Sequence, residues 1–228
     1  MIFVSEREGE LKMINSFKGD AAENRAFGEM LLAARKMLDG KNPAELAARA
    51  GCTYNGETQS FTMACLGKNV EIYLPEYNTV PETDGWMHLI MLHYLARSDG
   101  APVSEELMAF GGCTGGLIRG TKFDLTAEGQ LSEMLSGRTA EQIKAALEAV
   151  GGRIVPGRGD IGAQIPFLPR YPVTVNIWLA DEEFPASGKM LLSKSADHYL
   201  TVEDAVTAGE IIIRRIYDEL EKQAGGEK

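Results

Sequence analysis

IGAQIPFLPRYPVTVNIWLA, residues 161–180, decides the fold. It holds two strand-like runs, Ile161–Leu168 and Val173–Ala180, joined through Pro169 and Pro172. Val173, Val175, Ile177 and Leu179 alternate with Thr174, Asn176 and Trp178, a period of two with one face toward a core. So short a connection makes the pair antiparallel, since a parallel crossover needs a dozen or more residues. Met190–Ser193 is a candidate third strand. Beyond it Val202, Val206, Gly209, Ile213, Ile216 and Leu220 are spaced four, three, four, three, four, a helical stripe in which Gly209 permits close approach to a neighbour.

Upstream, residues 126–136 and 139–150 read as helices separated by Gly137, and a short helix is expected after Pro102. Residues 86–97 (WMHLIMLHYLAR) are apolar nearly all round, as a central buried helix would be. Residues 60–74 read as a hairpin, Ser60–Leu66 and Asn69–Leu74, around a Gly67-Lys68 turn. An Asn55-Gly56 turn adds an earlier strand. Near the start, Phe27, Leu31, Ala34 and Leu38 mark a helix over 20–39. Asn42-Pro43-Ala44-Glu45 begins another that stops at Gly51. Helices and strands do not alternate strictly, so the expected class is α+β: one domain with a mainly antiparallel sheet and packed helices. Residues 20–222 are assigned to it. Residues 1–19, with a second candidate start at Met13, are expected as a poorly ordered extension, and 223–228 as a polar tail.

The formal charge is −10, and no Lys/Arg cluster stands out; Arg214-Arg215 lies among Asp218, Glu219 and Glu221. Phosphate backbones are gripped by clustered cations, so nucleic acid and anionic membrane are not expected partners. No run approaches the ~20 apolar residues that span a bilayer. Cys52, Cys65 and Cys113 are odd in number and widely spaced, which suits reduced thiols in a cytoplasm.

Several motifs fail on context. Gly157-Arg158-Gly159-Asp160-Ile161-Gly162 matches the dinucleotide fingerprint, but Ile165-Pro166-Phe167-Leu168-Pro169 cannot form the helix that must follow. Gly115 and Gly120 precede Thr121-Lys122, the reverse of the order a phosphate-binding loop uses. His88 and His93 stand about 140° apart around their helix, so they do not share a metal-binding face. No Cys-x-x-Cys and no Gly-x-Ser-x-Gly is present.

Three constellations remain. In Gly111-Gly112-Cys113-Thr114-Gly115-Gly116, glycines can expose backbone N–H groups to a ligand, with Cys113 and Thr114 adding ligand atoms and Arg119 and Lys122 available for an anionic group. Asp181-Glu182-Glu183 follows a strong strand, where carboxylates can serve a metal or act as acid and base. Asp197-His198 is a candidate acid–base pair. Each also has a plain reading as a connection or solvated turn.

Leu92-His93-Tyr94-Leu95, Asp99-Gly100-Ala101-Pro102, Phe110, Gly115-Gly116 and Phe123 form an ordered series of blocks. It continues through Pro172-Val173-Thr174, Trp178, Asp181-Glu182-Glu183-Phe184-Pro185, Met190-Leu191-Leu192, His198-Tyr199-Leu200 and Glu203-Asp204. The series resembles a bacterial and archaeal domain-of-unknown-function family, number 3786. Gly111-Gly112 depart from it where longer, often charged side chains stand, as does Arg119 where an aromatic is common. The resemblance implies an anaerobic setting, genes for corrinoid-dependent methyl transfer nearby, and in some members an N-terminal iron–sulfur module. Three cysteines cannot supply that module's four thiolates here. It implies no established activity.

Two readings follow. The first is a non-catalytic accessory protein that binds a cofactor, small-molecule ligand or partner protein, a corrinoid being one candidate. Its site is placed at Gly112, Cys113, Thr114, Gly115, Gly116, Arg119, Asp181, Glu183 and His198, which requires the glycine loop and the acidic strand end to meet. The second is a metal-assisted enzyme using Asp181, Glu183 and His198.

Overall fold

The computed structural model describes residues 25–225. The extension expected over 1–19 lies outside the described residues.

Two helices open the fold, α1 (Arg25–Lys36) and α2 (Pro43–Ala50). Phe27, Ala34 and Leu38 are buried, as their spacing predicts. Asn42 caps α2 by accepting from the Ala44 N–H, and Gly51 ends it in the left-handed region at φ 69°. Next come β1 (Thr53–Asn55), β2 (Ser60–Cys65), β3 (Lys68–Tyr73) and β4 (Asn78–Val80), an antiparallel meander in chain order. The β2–β3 turn differs from expectation by one residue. Cys65 pairs with Lys68, and Leu66 and Gly67 carry the turn at φ 47° and 74°. A two-residue turn with both φ positive matches the twist of its strands, and here Leu66 accepts the strained position. Its N–H is bonded to the Pro166 and Phe167 carbonyls, which ties this sheet to the next.

Helix α3 (Gly85–Arg97) follows, started by Asp84 accepting from the Met87 N–H. Met87, Leu89, Ile90, Met91, Leu92, Tyr94 and Leu95 are all buried. The all-round apolar pattern is met by α1 and α2 on one side and the C-terminal helix on the other. No helix forms after Pro102; the chain runs irregularly into β5 (Leu107–Met108). Segments 99–106 and 193–199 are stapled together instead. Ser104 N donates to Ser195 Oγ, Ser193 Oγ to the Ser104 carbonyl, Lys194 N to the Glu106 carbonyl and Tyr199 Oη to the Ala101 carbonyl.

A single 3-10 turn, Phe110–Gly112, leads into α4 (Gly116–Leu135), which begins ten residues before the predicted start. Helix α5 (Ala140–Ala149) carries a Thr139/Gln142 capping box. Strands β6 (Arg153–Val155), β7 (Ile161–Leu168), β8 (Tyr171–Trp178) and β9 (Ser187–Ser193) join β5 in the larger sheet, in the order β5-β9-β8-β7-β6. Every pairing in it is antiparallel. The register aligns Ile161, Ala163 and Ile165 with Ile177, Val175 and Val173, and these with Gly188, Met190 and Leu192. One face is therefore wholly apolar and buried. Helix α4 lies on that face, close enough that a Cβ at Gly188 would meet Leu131 at 3.0 Å. The Gly157–Gly162 run is the β6–β7 turn, held by Asn176 Oδ1 on the Arg158 N–H and Asp160 on the Leu179 N–H. After a second 3-10 turn, Ala196–His198, α6 (Val202–Gly225) packs on α4 and α5. A Cβ at Gly209 would overlap the Phe123 ring and lie 3.3 Å from the Phe110 ring.

Candidate functional site

The glycines of the 111–116 run are explained by packing. The 3-10 turn folds back onto α4, and missing side chains make room for it. A Cβ at Gly120 would overlap the Phe110 carbonyl, one at Gly116 would lie 2.5 Å from that same oxygen, and one at Gly111 would lie 2.5 Å from Thr121 Oγ1. Gly112 rests on the Met108 side chain. Gly115, at φ 74° with nothing within 4 Å, is the open one, and a left-handed residue starts the helix there. Asp124, one turn beyond Gly120 on α4, accepts the Phe110 and Gly111 N–H groups at 3.0 and 2.9 Å. Those donors hold the loop together and are not available to an outside anion.

Beneath the loop lies a polar cluster. Thr114 donates its N–H and its hydroxyl to Asp197 Oδ2 at 2.9 and 2.8 Å. Cys113 is buried, and burial followed by the charge of Asp197 pushes its thiol up to about 12. It is a neutral S–H near pH 7, not a thiolate nucleophile. Tyr171, within the field of Cys113, Asp197 and Asp204, is fully buried and stays protonated; its hydroxyl has no hydrogen-bond partner.

Two histidine–carboxylate pairs tie α3 and the segment that follows it to α6 and the segment that precedes it. His93 Nδ1 stands 2.7 Å from Asp204 Oδ1, while Asp204 Oδ2 accepts from Thr201 Oγ1 at 2.7 Å. Burial works to raise the Asp204 carboxyl, but the hydrogen bonds from His93 and Thr201 outweigh it and the net direction is downward. His198 Nδ1 stands 2.6 Å from Asp99 Oδ2, and that bond lowers the Asp99 carboxyl. Adjacent in sequence, Asp197 and His198 thus serve different partners. Arg119 is held by Glu203 at 3.0 Å and Glu210 at 3.9 Å, so its guanidinium is engaged. Burial raises the Glu210 carboxyl, with Arg119 opposing.

The acidic strand end is a turn. Asp181 Oδ1 accepts the Glu183 and Phe184 N–H groups at 2.8 and 2.7 Å, which lowers its carboxyl, and Asp181 N donates to the Phe184 carbonyl. Glu183 is exposed. This turn is not brought to the loop. It precedes β9, whereas Asp197 follows it, and Ser132, near the far end of α4, donates to the Ala186 carbonyl. From Gly116 to Leu131 a helix rises about 22 Å at 1.5 Å per residue. The structure therefore gathers Gly112, Cys113, Thr114, Gly115, Gly116, Arg119 and His198 at one end of α4 and leaves Asp181 and Glu183 at the other. Among the described residues no group of three or more His, Cys, Asp and Glu is placed to hold a metal ion.

With the geometry in place, comparison with known proteins is informative about family. The family model described as "Domain of unknown function (DUF3786)" matches residues 42–215. The chain belongs to that family. No curated protein and no solved structure matches it. In this DUF3786 chain the sequence blocks fall on structural tasks: His93 and Asp204 join α3 to α6, Asp99 and His198 join the two stapled segments, and Asp181 closes a turn.

An exposed apolar surface of the DUF3786 fold lies directly beside the loop. Leu117 and Ile118, on the first turn of α4, are 81% and 82% exposed, and Leu125 on the same helix is 69% exposed. The buried face of α4 runs through Gly116, Gly120, Phe123, Ala127, Leu131 and Met134. Leu117, Ile118 and Leu125 fall off that stripe. Their signal was present in the sequence as aliphatics out of phase with the core, but it is readable only once the helix is known to begin at Gly116.

Proposed function

We propose that this chain is a non-catalytic accessory protein that holds a cofactor or other ligand against the end of α4. The observation that carries the reading is the exposed pair Leu117-Ile118, placed directly after the loop Cys113–Gly116. Adjacent aliphatics left in water are a cost the fold does not require, and an apolar contact partner offsets it. Thr114 and Gly115, also exposed, add backbone polar groups beside them, apart from the Thr114 N–H that Asp197 holds. A corrinoid, the ligand class suggested by the sequence resemblance, fits this pairing of groups. Its macrocycle rim combines methyl groups, which suit Leu117 and Ile118, with amide arms, which suit backbone donors and acceptors. The chain's own role in this reading is to bind and orient.

The test is co-elution of the purified protein with aquacobalamin on gel filtration, followed by visible absorbance, for the wild type and for Leu117→Ser/Ile118→Ser. Retention of the chromophore by the wild type and its loss in the double variant is expected. Absence of retention by the wild type, or equal retention by both, contradicts the proposal.

A further inference from the structure

We draw no further inference here: the strongest candidate, the side-chain cluster of Cys113, Tyr171 and Asp197 beside the 111–116 loop, belongs to the site already described.

Discussion

At the residue scale, buried polar groups decide most of what can be tested. The Tyr171 hydroxyl is buried without a partner, and such a group carries an uncompensated desolvation cost. Tyr171→Phe should therefore raise stability in urea unfolding, by about 1 kcal/mol. A loss instead would mean the hydroxyl is bonded in solution. Asp204 is the opposite case, tied to His93 and Thr201 at the start of α6. Its folded carboxyl lies below its unfolded value. The stabilisation is thus present above the unfolded carboxylate range and is lost as pH falls through the folded value. Asp204→Asn should lower stability by about 2–3 kcal/mol near pH 7, with the gap to wild type narrowing below pH 4; a constant gap down to pH 2 would refute the assignment. The thiols follow chiefly from burial, with Cys52 pushed up to about 11 and Cys65 and Cys113 to about 12. An aromatic disulfide reagent at pH 8 should react slowly with native protein and with three thiols after denaturation. Two rapidly reacting native thiols would show that these side chains are accessible. The histidine partners were not legible in the sequence, because Asp204 is 111 residues from His93 and Asp99 is 99 from His198; Thr201, three residues before Asp204, is a local helix-start pairing.

At the element scale, α4 shows why sequence periodicity succeeded in some places and failed in others. The stripe of α6 and the alternation of Val173, Val175 and Ile177 in β8 are regular, so their core-facing side chains could be read directly, although Thr174 and Asn176 on the other side of β8 are buried as well. In the first two turns of α4 the core positions are Gly116 and Gly120, which carry no hydrophobic side chain to count. Loop-like composition there conceals a helix whose neighbour is backbone. Gly120→Ala should destabilise the protein by about 1–3 kcal/mol through overlap with the Phe110 carbonyl. Gly129→Ala, with nothing within 4 Å of its Cβ, should stabilise by up to about 1 kcal/mol through helix propensity. Thermal melts of the two variants moving the same way would contradict this account of the helix. Helix α3 gives a simpler check: Leu92 is fully buried, and Leu92→Ala should cost about 2–5 kcal/mol.

At the scale of the whole molecule, the antiparallel class was legible because β7, β8 and their short connection state it locally. The spatial relation of the glycine loop to the acidic turn was not, since it depends on how α4 lies along β9. That relation separates the two segments once joined in one expected site. What remains at the loop end is an exposed aliphatic turn on a well-packed support, the surface proposed to meet the ligand. Amide hydrogen–deuterium exchange with and without aquacobalamin tests it most directly. Slowed exchange confined to residues 112–122 is predicted. Protection centred on the 181–184 turn, or none anywhere, would contradict the account.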